Sequence, residues 1–370
     1  PQAASGVAVT VMMVGYLGTS IFPFIEQLDG WEKIFPWYYL NGSMPALNGI
    51  DWEHIAILGG ASLVFAVLGF VGVNRRDLRS KGTKRTMIDR LRDNPRTAVV
   101  AEKIAGSARV SGLAMKTVSD HQGMLIITGA IMFYTSILMG PMYALVPEET
   151  WAAFANFPDV LVAMIGGTDM STAAGFFQAE IFVITMPIAG AVLMISMGSR
   201  AIAGEERDHT MGLLLSSPMS RSKIVATKAG VMVGFALAFG FITALGTWLG
   251  VLMGGIDMGI GVIAATSLLG SLLVMGFGGL ALLLSAATGE TSISSWGTTA
   301  WVAVAYFAFA FLGVNPDTEA WVQLSPYHYF LGGDPLVEGM QWGDALVLLA
   351  IFVVPTLLAI PAFQRRDLKG

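Results

Sequence analysis

Apolar residues along this chain come in long unbroken runs, not in strict alternation. Eight such runs, near 4–24, 53–74, 122–145, 176–199, 224–252, 259–287, 294–314 and 343–363, carry almost no charge, and the polar residues collect between them. A helix of roughly 20 apolar residues crosses a hydrocarbon layer of about 30 Å. Lipid offers no hydrogen bonds to an open backbone, so a spanning segment must satisfy its own N–H and C=O groups, as a helix does. The pattern predicts an all-α integral membrane protein, a polytopic helix bundle of about eight transmembrane helices.

The polar connections then fix an orientation. Of the 21 Lys and Arg, only Lys33 falls outside residues 75–121, 200–223, 288–293 and 364–370 together with Lys228 at the mouth of its span, which leaves 20 on one side (21 − 1). Cytoplasmic loops carry such an excess of basic residues, so these segments are expected to lie inside. Asp29, Glu148, Glu149, Asp159, Asp169, Asp257, Asp317, Glu319 and Asp334 fall on the other side. Composition agrees: 54% of the 370 residues are hydrophobic and 13% are charged, where soluble domains carry about 25%. With no cysteine, the chain has no disulfide, thiolate metal site or cysteine nucleophile. The basic residues flank spans and form no separate basic domain, so nucleic acid is not an expected partner.

One inner connection is richer than a topology signal requires. Between Arg200 and Lys228, the acidic-basic run Glu205-Glu206-Arg207-Asp208 leads through His209, Thr210, Met211 and Gly212 into Leu213-Leu214-Leu215, then Ser217-Pro218 and Ser220-Arg221. Acids at the start, leucines after them and a Ser-Pro stop read as a short amphipathic helix lying on the membrane face. The run resembles the cytoplasmic loop of type-2 ABC exporter permeases. Glu205, Glu206, Gly212, Leu213 to Ser216, Pro218, Ser220, Arg221 and Lys228 fit that pattern, while His209 and Met211 stand at less constrained places. The resemblance implies a coupling helix between the second and third spans of a six-span unit, docking on a separate ABC ATPase subunit, a dimer that would bind the ATP and Mg. On it Glu205, Glu206, Arg207, Asp208, Gly212, Leu213, Leu214, Leu215, Ser217, Pro218 and Arg221 are the expected coupling residues. The chain itself has no G-x-x-x-x-G-K-[ST] phosphate loop, since Gly106 to Gly112 has the wrong spacing. It is expected to be a transport subunit, not an enzyme, with no cofactor of its own.

The chain also repeats itself. A shift of 290 aligns 31–80 with 321–370 without a gap, with 14 identities in 50. Trp31, Pro36, Tyr39, Gly42, Pro45, Gly49 and Trp52 fall on Trp321, Pro326, Tyr329, Gly332, Pro335, Gly339 and Trp342, and Arg75-Arg76-Asp77-Leu78 falls on Arg365-Arg366-Asp367-Leu368. Three parts are expected: 1–79 as the last two spans of a first unit, 80–121 as a basic linker, and 122–370 as a complete second six-span unit with coupling loop 200–223. Pro1 opens directly in an apolar run with no basic region ahead of it, so a piece of a longer, twelve-span fused chain is expected. That layout resembles permeases of multidrug or polyketide-antibiotic exporters, which implies a hydrophobic or amphipathic substrate moved outward across a prokaryotic cell membrane.

Other features stay open at this level. The linker's Arg96–Asp120 stretch is either an amphipathic elbow helix in the interface or a plain surface connection. Either Trp321, Pro326, Tyr327, Tyr329 and Pro335 form an outer gate that dips back into the membrane, or the aromatics Trp321, Tyr327, Tyr329 and Trp342 form an interfacial belt. The outer connection 141–175, with Trp151, Phe154 and Phe157, reads as a short cap. Glu180 is the main ionisable residue inside a span, either a functional acid or an interfacial one at the helix start. Pro187, Pro355 and Pro361 are hinges or fixed kinks. His54, His121, His209 and His328 lie far apart and have no metal-ligand spacing. The alternative function, an ion-coupled carrier or channel-like protein working without an ATPase, would make Glu180 essential.

Overall fold

A computed structural model describes residues 15, 19, 30–41, 51–74, 112–147, 150–151, 162, 169–216, 219–314 and 317–367. Among them all regular structure is helical, and seven helices are long and apolar enough to cross a membrane. These match the runs expected from 53–74 onward; the run at 4–24 lies outside the described residues apart from Gly15 and Thr19. The chain divides into two units, Pro1–Ser107 and Ala108–Gly370.

In the first unit a 3₁₀ turn, Trp31–Ile34, leads into α1 (Pro36–Asn41), and α2 (Trp52–Asn74) follows. Asp51 caps α2, its Oδ1 accepting from the N–H of Glu53 at 2.9 Å and of His54 at 3.3 Å. His54 meets the edge of Tyr39 at 5.2 Å and the tilted ring of Tyr38 at 5.7 Å, which fixes α1 on the start of α2. In the second unit another 3₁₀ turn (Glu319–Leu324) precedes a six-residue helix opening on proline, Pro326–Leu331, and a long helix opening on tryptophan, Trp342–Arg365. Both helix starts lie 290 positions after Pro36 and Trp52.

The second unit is a bundle of six spans. α3 (Leu113–Leu145) is followed by a composite span: α4 (Ala173–Phe177), a π-helical segment (Gln178–Thr185) and α5 (Met186–Ala201). Two short helices, α6 (Ala203–Arg207) and α7 (Met211–Ser216), connect to α8 (Arg221–Met253). Then come α9 (Ile260–Thr288), α10 (Thr291–Leu312), α11 (Pro326–Leu331), α12 (Pro335–Glu338) and α13 (Trp342–Arg365). The stretch 96–120, read as an elbow helix or a plain connection, is described only at its end. Leu113–Asp120 continues without a break into α3, and residues 96–111 lie outside the described set.

Helices in lipid gain little from apolar burial against one another, so close backbone packing through small residues takes its place. α3 and α8 meet along such a seam. A Cβ on Gly250 would stand 2.5 Å from the Ser136 carbonyl, one on Gly246 2.9 Å from that of Phe133, and one on Gly254 2.5 Å from that of Gly140. Similar seams join α9 to its neighbours, with Gly198 on the Gly278 carbonyl at 2.5 Å and Gly279 on that of Phe352 at 2.8 Å. α9 is the most enclosed span, and Leu273, Val274, Phe277 and Leu282 sit at the centre of the core.

The π segment has a local cause. Pro187 lacks an N–H and its ring crowds the carbonyl four residues back, so the α pattern cannot run through it unchanged. The helix widens ahead of it, and the Thr185 hydroxyl donates to the Glu180 carbonyl at 2.6 Å.

The α3–α8 seam gives a direct test. Gly250→Val should lower stability by about 1–3 kcal/mol through overpacking, read as a lower thermal unfolding midpoint in detergent. Gly234→Ala, on the same helix with nothing within 4 Å of its Cβ among the described residues, should leave the midpoint unchanged or raise it.

Candidate functional site

Among the described residues of the second unit, the buried charges Glu205, Glu206 and Lys228 gather at the connection between the second and third spans. That connection differs from the single amphipathic helix expected from the sequence. α6 stops at Arg207, and the N–H groups of His209 and Thr210 return to the carbonyls of Glu206 (3.1 Å) and Glu205 (2.8 Å). This is the Schellman closure of a helix C-terminus, which needs a left-handed residue at its turn. His209 supplies it with φ 54°, a place glycine or asparagine usually takes. α7 then starts afresh at Met211.

The break reverses the surroundings of the acids. Glu205 and Glu206 are 8% and 6% exposed, turned into the bundle instead of lying on the membrane face. Glu205 accepts from Lys116 Nζ of α3 at 2.7 Å and 2.9 Å and from Lys228 Nζ of α8 at 2.8 Å. The Thr210 hydroxyl closes onto its Oε2. Glu206 pairs with the Arg366 guanidinium at the end of α13. Lys228 is itself only 4% exposed, and a buried ammonium needs a counter-ion. Burial pushes the Glu205 carboxyl up, but Lys228, Lys116 and Thr210 outweigh it and hold the group at about 2.

Neighbouring groups complete the knot. The Ser285 hydroxyl of α9 donates to the Ser199 carbonyl at 2.9 Å and accepts from the N–H of Ala203 at 2.9 Å and of Ile202 at 3.3 Å. It thereby satisfies the backbone where α5 breaks into α6. Arg221, at the start of α8, donates to the carbonyls of Phe363 (2.6 Å), Gln364 (3.2 Å) and Arg366 (3.1 Å) and lies 5.0 Å from the Phe363 ring centre, capping the negative end of α13. Gly289, with φ 67°, leaves the room: a Cβ there would run into Arg366 Nη1 and come within 3.0 Å of Glu206 Oε2.

The other coupling candidates divide by exposure. Arg207, Asp208, His209 and Gly212 are exposed, with Arg207 bonded to its neighbour Asp208 at 3.3 Å, while Leu214 and Leu215 are half-buried against the core. Leu213 is described only in its backbone, and Ser217 and Pro218 lie outside the described residues. Lys116, Ser285, Gly289 and Arg366 are members that no sequence pattern assigns to this site. The usable signal was Lys228, an ammonium seven residues inside an apolar helix that had to have a carboxylate nearby.

At the opposite end, α11 dips into the bundle. The Ser325 hydroxyl donates to the Ala305 carbonyl at 2.7 Å and accepts from the N–H of Tyr327 at 3.2 Å. Tyr327 is 3% exposed among Tyr306, Phe309 and Phe277, with ring centres 5.6, 6.1 and 6.3 Å away. Pro326 and Pro335 are buried and Tyr329 half-buried, but Trp321 and Trp342 are exposed, as belt residues would be. Trp151 stacks on Tyr143 at 4.7 Å and also meets Phe176, while Phe154 and Phe157 lie outside the described residues. Glu180 is half-buried in the π segment, seven residues past the start of its helix at Ala173 and so not at the helix start.

A six-span bundle with a knotted inner connection after its second span is the setting for the comparison with known families. The model described as ABC-2 family transporter protein matches residues 121–368. The chain belongs to the ABC-2 transporter family. It is a multi-pass membrane permease, and the match covers the second unit from within α3 to the end of α13. No curated protein matches the chain. An ABC-2 permease is a transport subunit without an ATPase motif, in keeping with the missing phosphate loop.

Two tests follow from the knot. The folded Glu205 carboxyl titrates below its ordinary 4.5. Its ion pairs therefore contribute fully above about pH 4.5, weaken as pH falls below that value, and are gone once pH passes about 2. Unfolding followed from pH 6 to 2 should steepen in that window, and Glu205→Gln should be less stable at neutral pH with a flatter profile below about 4.5. Gly289→Ala should cost about 2 kcal/mol through its left-handed backbone alone, and more where its Cβ meets Arg366. In an Arg366→Ala background, itself less stable because Glu206 loses its cation, the same change should cost the backbone part only.

Proposed function

We propose that this chain is the permease of an ATP-driven exporter and that a separate ABC ATPase, binding ATP and Mg as a dimer, pushes on residues 203–216. The observation that carries this reading is the form of that segment. A short exposed tip, Arg207-Asp208-His209, stands on two acids fixed inside the bundle. An exposed charged tip suits a protein partner, and its fixed base suits transmission of a rigid-body movement to the spans. The cargo this reading favours is hydrophobic or amphipathic, moved outward across a prokaryotic cell membrane past the aromatic region around Tyr327. Matching element starts 290 positions apart in the two units support a fused, two-unit permease.

A second reading keeps one observation in its favour. Glu180 lies within a span with no ion pair among the described residues, a place where a coupling ion could bind. It would make transport follow an ion gradient.

Copurification separates the two. The full chain, co-expressed with a candidate ABC ATPase, should hold it in detergent and stimulate its ATP hydrolysis. Reversing the tip charges with Arg207→Glu and Asp208→Lys should weaken the complex roughly tenfold, about 1.4 kcal/mol, without lowering the unfolding midpoint. No complex with any ATPase, together with gradient-driven transport abolished by Glu180→Gln, would overturn the exporter reading.

A further inference from the structure

Adjacent acids on one short helix ordinarily face the same neighbour. Here they part. Glu205 reaches α3 and α8 through Lys116 and Lys228, Glu206 reaches the end of α13 through Arg366, and Ser285 of α9 holds the backbone just ahead of them. One helical turn is thus joined to four different spans, all at their inner ends. Arg221 joins two of those spans directly, from the start of α8 to the last carbonyls of α13.

We infer that Glu205 and Glu206 are not docking contacts for the ATPase but a two-way bolt, through which movement of the exposed tip is passed to α3, α8 and α13 together. This rests on the exporter reading above and assigns the acids a place within it. Three features carry it. The acids are buried and already engaged, so a partner approaching from outside meets Arg207, Asp208 and His209 instead. The C-terminal turn of α6 stiffens the path from tip to acids, because the backbone of 204–210 is closed by hydrogen bonds onto itself. And the Glu206–Arg366 half is incompletely matched: Glu206 Oε2 and Arg366 Nε and Nη1 are buried without a partner among the described residues. A pair with spare donors and acceptors can re-pair in a second arrangement at little loss, while Glu205, with four hydrogen bonds to three groups, stays fixed. The bolt then has a fixed side on α3 and α8 and a movable side on α13. α13 also packs against α11, the helix that enters the bundle at the outer end, so displacement of α13 would reach that region.

The Glu206–Arg366 side is the better one to test, because removing Glu205 leaves Lys228 buried without its counter-ion and risks the fold. The chain has no cysteine, so a pair introduced at the exposed outer positions Asp257 and Val337 can be spin-labelled cleanly. In the complex with the ATPase, ATP and vanadate should shift the distance between these labels. Glu206→Gln and Arg366→Gln should keep the ATPase bound but lower the shifted fraction about tenfold, and Glu206→Arg with Arg366→Glu should restore it and the unfolding midpoint together. If Glu206→Gln releases the ATPase and the exchanged pair does not bring it back, the acids are docking contacts and the inference fails. It also fails if the ATPase stays bound and the single variants shift as fully as the wild type, or if the wild type shows no shift. If the wild type holds no ATPase at all, the exporter reading fails instead, and that result is separate from any of these.

Discussion

A buried ammonium that cannot be left without a carboxylate is the condition on which the inner end of this permease depends. Lys228 lies seven residues inside α8, where an unpaired charge would be costly in lipid and in protein alike. Glu205 answers it only if the chain leaving the second span turns back into the bundle, and that requirement shapes the connection. α5 has to break at Ile202, the freed N–H groups need Ser285, and α6 has to end within two turns so that the chain can reach α8. The left-handed His209 and the returning Thr210 hydroxyl follow from the same constraint.

Packing of the spans makes the constraint meaningful. Glycine seams bring α3 against α8, and α9 against α5 and α13, at backbone contact, so the helices tied to the acids are stiff bodies with little slack between them. Ion pairs between loosely packed helices would absorb a displacement. Ion pairs between bodies packed this closely pass it on. The other end is built differently, with Tyr327 among aromatic rings and a hydroxyl cap at the start of its helix.

Much of the architecture is legible in the amino-acid sequence. Seven spans stand out because a bilayer imposes both length and hydrophobicity. The segment between the second and third spans of the second unit is recognisable as a charged connection but not in its form. Its acids look like solvent-facing residues at the start of a helix, because their partners stand 89 residues before, 23 after and 160 after them. No local pattern reports such pairings. The helix break is hidden because histidine occupies the left-handed position, where glycine would have announced it. Glu180 is evident as an intramembrane acid, but its place in a π segment follows from the crowding ahead of Pro187, which periodicity does not reveal.

The most direct test of the coupling role is a photo-crosslinking amino acid at position 209 in the full chain co-expressed with an ABC ATPase, with the outer position 337 as the comparison. Illumination should yield one adduct of permease and ATPase from position 209, stronger in the nucleotide-bound complex, and none from 337. A complex that copurifies yet gives no adduct from 209 would contradict the assignment of the exposed tip as the place where the ATPase acts.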